Sequence, residues 1–260
     1  MPGADASTLF DLTGKVALVT GGSRGLGAET VRAFAAAGAD VVIASRDADS
    51  CRALAEEIER ETGRRALAHA CHVGRWAEVE GLAEAAFAAF GRVDVLVNNA
   101  GMSPLYEDVA DVTEELWRKV IDVNLSGPFR LCALVGSRMA RDGGGSIINV
   151  SSVAATHPAP EVIPYAAAKA GLNAITQAFA RAFGPTVRVN AVLPGTFLTD
   201  ISKAWDMEAF ERRAQAYALR RGGEPGEIVG TMLYLASEAS SYTTGSLLTV
   251  DGGYLLVGEG

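Results

Sequence analysis

The sequence predicts an α/β fold: one domain built on a doubly wound parallel sheet of seven strands, with helices on both faces. Three observations lead there. The chain has 260 residues, 49% apolar and 21% charged, which suits one large domain with its own core. Short β-branched runs alternate with alanine-rich helical stretches along the chain, as repeated strand–helix–strand units require. The runs read VALV, VVIA, VDVLV, SIINV and VRVNAVL. They are continuous rather than alternating, as befits strands covered on both faces.

Strand one is predicted over Lys15–Thr20. It runs into Thr20-Gly21-Gly22-Ser23-Arg24-Gly25-Leu26-Gly27, which opens a helix over 26–37. A glycine turn between a strand and a helix N-terminus is an anion site, because backbone N–H groups and the helix dipole both face the ligand. Strand two, Asp40–Ser45, ends in Ala44-Ser45-Arg46 and precedes a helix over 49–62. An acidic residue at that strand end would bind a ribose 2′-OH and repel a 2′-phosphate. Here serine stands in its place, and Arg46 and Arg24 can both reach a phosphate. This favours NADP over NAD, unless Arg46 is only a solvated neighbour of Asp47 and Asp49.

Strand three, Ala66–Cys71, runs into His72-Val73-Gly74 and a helix over 75–90. Strand four, Val93–Val97, ends in Asn98-Asn99-Ala100-Gly101. A long helix over 113–140 follows, with Asn124 in its middle, where asparagine is a poor helix former. A kink with a bound water fits it, and so does a buried amide bonded to backbone. Strand five, Ser146–Val150, leads through Ser151 and Ser152 to a helix over 165–183. Strand six, Val187–Leu193, ends in Pro194-Gly195. The stretch Gly195–Glu224 then has no strand and holds Trp205, Met207, Phe210 and Tyr217 among charged residues. It reads as a substrate lid rather than a disordered loop. A helix over 225–237 and a strand over Leu247–Val250 complete the chain.

The formal charge is −8, which argues against nucleic acid and anionic membranes as partners. No apolar run approaches the ~20 residues of a membrane span. The first residues lack a basic-then-apolar leader, and the last, GEG, are no targeting signal. A cytoplasmic location is the expectation. Cys51, Cys71 and Cys132 form no CxxC pair, so neither a disulfide framework nor a thiolate metal site is expected. His69, His72 and Glu78 lie close in sequence, but His69 and His72 are three apart across a strand end and diverge, so no metal is expected.

Seven motifs occur in order: TGGSRGLG at 20–27, NNAG at 98–101, Asn124 in DVNLSG, Ser152 in NVSS, Tyr165-Ala-Ala-Ala-Lys169, Pro194-Gly195, and VDGG at 250–253. On these the chain resembles the classical short-chain dehydrogenases/reductases from Lys15 to Gly253. The resemblance implies a Rossmann-type sheet of order 3-2-1-4-5-6-7 and hydride transfer between a nicotinamide cofactor and a carbonyl/alcohol pair. It also implies a homotetramer formed through helices 113–140 and 165–183 and the last strand.

It assigns Tyr165 as acid–base, with Lys169 tuning it and bridging the nicotinamide ribose. Tyr165 and Lys169 stand at i and i+4, on one helix face. A free tyrosine titrates near ~10, and a neighbouring ammonium is expected to lower that value. The resemblance makes Ser152, thirteen residues before Tyr165, the group that orients the substrate oxygen. Ser151 is left as a structural hydroxyl. The resemblance implies that Asn124 holds a relay water.

For the cofactor the resemblance and the residues together imply Gly21, Ser23, Arg24, Gly25, Leu26, Gly27, Ser45, Arg46, His72, Val73, Asn98, Ala100, Gly101, Tyr165, Lys169, Pro194, Gly195 and Thr199. For the substrate they imply Met102, Ser152, Ala154, His157, Tyr165, Phe197 and Trp205.

Two departures matter. The family's usual residue at 72 is an aspartate that accepts from adenine, and here it is histidine, which either contacts adenine or packs near it. The CHVG and ASR segments resemble NADPH-dependent carbonyl reductases. The other similar group, the 3-oxoacyl-carrier-protein reductases, tends to carry basic residues before strands five and six. Here Arg141 is offset beside Asp142, and Phe183-Gly-Pro-Thr186 has none, which weakens a carrier-protein docking surface. Three readings therefore stand: a reductase of hydrophobic ketones, a 3-oxoacyl-thioester reductase, and a non-catalytic NADP sensor. The sensor has no use for a complete Ser–Tyr–Lys–Asn set. His157 either shapes specificity or is a plain loop residue.

Overall fold

The computed structural model describes residues 8–199, 202 and 206–254. Its strands are β1 Val16–Thr20, β2 Asp40–Ser45, β3 Ala66–Ala70, β4 Val95–Asn98, β5 Gly145–Val150, β6 Val187–Pro194 and β7 Leu247–Val250. They form one parallel sheet in the order β3-β2-β1-β4-β5-β6-β7. The predicted strands agree to within two residues, the usual uncertainty of an element end.

The helices are α1 Gly25–Ala36, α2 Ala48–Thr62, α3 Trp76–Phe90, α4 Glu114–Ile121, α5 Gly127–Leu131, α6 Ser137–Arg141, α7 Ile163–Phe183, α8 Met207–Ala214 and α9 Val229–Ala236. Successive residues of each strand face opposite sides of the sheet, so one strand feeds two cores. Ala17, Val19, Val41, Ile43, Val97 and Ile148 pack against α1, α2 and α9. Leu18, Val42, Leu96, Ile147 and Val189 pack against α3, helix 114–141 and α7. Each large side chain removed from water there contributes roughly 1.5–3 kcal/mol.

The helix predicted over 113–140 is one rod widened twice. π turns at Asp122–Ser126 and Cys132–Gly136 separate α4, α5 and α6. The first holds Asn124, the poor helix former, and so supplies the irregularity that residue suggested. The second had no such polar signal in the sequence.

Among its described residues the segment 195–224 contains α8 and no strand. A parallel bridge, Phe197 to Gly223, ties its two ends together. Phe210, Ala214 and Tyr217 form a small core of their own with Leu198 and Tyr254.

A parallel sheet brings all strand ends of one polarity to one edge. In register, Thr20 stands beside Asn98, Asn98 beside Asn149, and Val150 beside Val192. The glycine loop, NNAG, Ser152 and Pro194 therefore meet at that edge.

Candidate active site

The glycine loop is built to approach a ligand closely. Gly21 and Gly25 have φ of +62° and +54°, a region where residues with a Cβ are strained. Gly27 has no room for a side chain, since a Cβ there would lie 2.1 Å from the Gly21 carbonyl oxygen. The N-cap of α1 is Arg24, with no side-chain cap, so the first-turn N–H groups remain available to an anion. Leu26 is half-buried at the same helix start. A cleft of about 460 Å³ opens there between Ser23, Arg24, Gly25 and the facing Leu198, Thr199 and Ser202. Gly195 seats directly on Asp251, where a Cβ would come within 2.7 Å, so Pro194-Gly195 and VDGG brace each other.

Two residues that the sequence reading left without a role hold the loop in place. The Asn99 amide donates to the Thr20 carbonyl (2.9 Å) and the Gly21 carbonyl (3.0 Å). The Thr20 hydroxyl accepts from the Asn99 and Ala100 N–H groups. The doubled asparagine of NNAG was the available signal.

Asn98 departs from the expectation of a cofactor contact. It is 2% exposed, and its amide donates to Asn149 Oδ1 and Cys132 Sγ, tying β4 to β5 and the long helix. Ala100 and Gly101 do lie at the strand edge.

At the end of β2 the Ser45 hydroxyl accepts from Ser23 Oγ (3.0 Å) and donates to the Asp47 carbonyl. Asp47 turns back to cap α2, accepting from the Asp49 and Ser50 N–H groups. The Ser50 hydrogen bonds hold its carboxyl below the ordinary range, with Arg24 adding a smaller pull. Arg24 and Arg46 stay exposed, and among the described residues no ion pair engages Arg46. Their charges remain available to an anion at this edge.

His72 Nδ1 accepts from the Gly74 N–H (3.2 Å), and the His72 N–H donates to Glu78. Val73 is buried against Gly127. Burial pushes the Cys71 and Cys132 thiols up to about 12, so both are unreactive. Among the described residues no group of His, Cys, Asp or Glu is arranged to hold a metal ion. None of the described helices is long and apolar enough to cross a membrane.

Ser152, Tyr165 and Lys169 converge one strand away. Ser152 Oγ accepts from the Ala154 N–H (3.1 Å) and faces Tyr165, whose phenol it pulls toward the ionised form. Lys169 is 2% exposed. Its Nζ donates to the Val150 carbonyl (2.7 Å) and lies 5.6 Å from the centre of the Tyr165 ring. The same ammonium lies 3.7 Å from where a Gly101 Cβ would stand, so Gly101 leaves the approach to it open. The Ser151 hydroxyl points elsewhere, donating to the Lys169 carbonyl. Asn124 is fully buried, and both ends of its amide are engaged. It donates to the Met102 and Val120 carbonyls and accepts from the Met102 N–H.

The expected lowering of Tyr165 by Lys169 is not what burial produces here. Desolvation pushes the phenol above its ordinary value, partly offset by the Ser152 hydrogen bond. Desolvation also pulls Lys169 down to about 7. The phenol is thus held as an acid, while the amine changes charge near neutrality.

A stability prediction follows from Lys169. Its folded value lies below the unfolded one, so the unfolded chain binds more protons between them, and this group makes stability rise with pH from about 7 upward. Lys169→Met should therefore raise the melting temperature more at pH 6 than at pH 9. Equal shifts at both pH values would show that no proton is lost on burial.

On the substrate side, Met102 and Ala154 are half-buried near the site, and His157 is exposed. Phe197 corrects the sequence reading. It is 8% exposed and packs in the core against Gly223, because the Phe197–Gly223 bridge draws it inward. Phe210 is likewise buried, in the small core of 195–224. Trp205 lies outside the described residues.

The donors fit a dinucleotide: open helix N–H groups at one end of the edge, and the Ser152–Tyr165–Lys169 cluster at the other. The comparisons agree. A family model described as enoyl-(acyl carrier protein) reductase matches residues 21–255. L-rhamnose 1-dehydrogenase (NAD(P)(+)) of Azotobacter vinelandii is 42% identical over 93% of this chain and 97% of its own length. Human dehydrogenase/reductase SDR family member 4 is 37% identical over 93% and 88%. The NADPH-dependent 3-quinuclidinone reductase of Rhodotorula rubra superposes with a TM-score of 0.91 at 32% identity, covering 98% of this chain and 97% of that one.

The site defines a nicotinamide-dependent oxidoreductase acting on CH–OH groups. The chain belongs to the short-chain dehydrogenase/reductase family.

Proposed function

We propose that the protein interconverts ketones and secondary alcohols with NADP(H) as the preferred cofactor. The observation that carries this reading is the Ser152–Tyr165–Lys169 cluster at the strand edge that also holds the glycine loop. Ser152 donates a hydrogen bond to the substrate oxygen and stabilises its growing charge. The Tyr165 O–H, kept protonated by burial, gives its proton to that oxygen in reduction and takes it back in oxidation. Lys169 fixes Tyr165 electrostatically and has N–H groups beyond its Val150 bond for ribose hydroxyls. Asn124 fixes the Met102 backbone and the π turn behind the lysine, where a relay water can sit. A nicotinamide held by the glycine loop and by Lys169 would supply or accept the hydride when bound.

Arg46 and Arg24, with Ser23 and Ser45, support the choice of NADP. A guanidinium–phosphate pair is bidentate and worth more than a neutral contact. Arg46→Asp is expected to weaken NADPH about 10–100-fold and NADH no more than about threefold. Equal losses for both cofactors would remove the phosphate role of Arg46.

The 195–224 segment is assigned as the substrate lid, on its own small core and the bridge that closes its two ends together. The segment that leaves Gly101 carries the apolar Met102 and Leu105, which favours an uncharged hydrophobic carbonyl. The relatives bring in sugars through the rhamnose dehydrogenase and cyclic ketones through the quinuclidinone reductase. Small-molecule assay of NADPH oxidation against ketones, acetoacetyl thioesters and aldoses tests the substrate class directly. Dominant thioester turnover would move the assignment to the 3-oxoacyl-thioester reductases. A homotetramer is the assembly proposed, by kinship.

A further inference from the structure

Tyr106 closes a ring of contacts around the reacting groups. It sits on the segment that leaves Gly101, beside Lys169, and runs outward through Met102, whose backbone Asn124 holds. A second segment, 153–162, leaves Ser152 and returns to Tyr165. The two segments are more than fifty residues apart in sequence, and the Tyr106 hydroxyl joins them. It donates to the Pro160 carbonyl (2.5 Å) and accepts from the Ile163 N–H (2.9 Å).

The second bond is unusual in kind. Ile163 is the first residue of α7, and its N–H is one of the helix's orphan donors. The N-cap, Val162, offers no side-chain acceptor, and Pro164 has no N–H at all. A residue from another part of the chain therefore caps the helix that carries Tyr165 and Lys169. Tyrosine suits this, because one hydroxyl can donate and accept at once from a rigid ring.

We propose that Tyr106 is a positioning and specificity-determining residue that clasps the two walls of the substrate site and so sets its width. This rests on the oxidoreductase reading for its substrate consequence, while the clasp itself does not. A preset width favours small substrates, which have few contacts of their own to hold the walls together. A bulky substrate fills a loosened site and recovers those contacts.

Tyr106→Phe tests the clasp, since it removes one oxygen and keeps the ring. Two measurements are made on the whole protein. Hydrogen exchange of the 160–163 backbone should quicken about tenfold, matching the loss of one hydrogen bond. The kcat/KM for 2,3-butanedione should fall at least about fivefold relative to that for trans-1-decalone, mostly through KM, with NADPH affinity unchanged. A merely structural role would lower both ketones by one factor, and that result overturns the specificity claim. Unchanged exchange at 160–163 overturns the clasp. If the unsubstituted protein reduces neither ketone, the substrate reading fails, and exchange alone then decides the clasp.

Discussion

Tyr165→Phe is expected to abolish ketone reduction, with turnover falling at least ~10³-fold, within the span that a positioned acid–base group supplies. The phenylalanine ring keeps the volume and the 5.6 Å packing against the Lys169 ammonium, so the site loses a proton donor and little else. NADPH affinity should stay within about threefold, because the ring's hydroxyl makes one hydrogen bond at most to the cofactor. Titration by cofactor fluorescence beside steady-state turnover checks both halves. Substantial residual activity would assign the proton to another group. Loss of cofactor binding in parallel would show that the change acts on the site's shape.

Gly27→Ala is the second large effect. The added methyl would lie 2.1 Å from the Gly21 carbonyl oxygen and 2.5 Å from the Asn99 amide nitrogen. Neither atom can yield cheaply, since both belong to the bracket that fixes the loop. Overpacking of this kind costs about 1–3 kcal/mol, or a fall of about 2–10 °C in melting temperature for a domain of this size. NADPH affinity should drop at least about 100-fold as the loop moves off the N–H groups it presents. Gly81→Ala is the internal control. It lies within α3 with nothing within 4 Å of the added methyl, so the helix gains propensity and both readouts hold or improve. Similar losses at both positions would mean that glycine at 27 answers only to backbone entropy.

Most of the frame was legible in the sequence because strand–helix alternation and glycine placement are local signals. The sheet order came through family resemblance. The site was readable only as a set of motifs: the positions of Ser152, Tyr165 and Lys169 could be named, but not the burial that sets their protonation. A neighbouring ammonium suggested a lowered phenol; desolvation acts on both groups and reverses that inference. Phe197 read as a substrate contact and Phe210 as part of the lid because they are apolar and lie in a lid-like segment. The Phe197–Gly223 bridge and the small core around Tyr217 turn them inward, and pairings of that kind leave no periodic trace. Asn98 and Asn99 are adjacent and identical in type, yet one binds the sheet interior and the other the glycine loop, because neighbours on a strand face opposite ways.

The bracket formed by Asn99 and Thr20 spans β1 and β4 alone. The groups proposed to meet a cofactor's distal phosphate, Ser45 and Arg46, stand at the end of β2, on the far side of β1. Arg46, the proposed reader of cofactor type, therefore lies outside that bracket, whereas Ser45 is tied to the glycine loop through Ser23. A substitution at Arg46 is therefore expected to shift cofactor preference with less effect on the bracket than one at Ser45, whose hydroxyl holds Ser23. A lineage built on this frame can change its source of reducing power while its chemistry stays fixed.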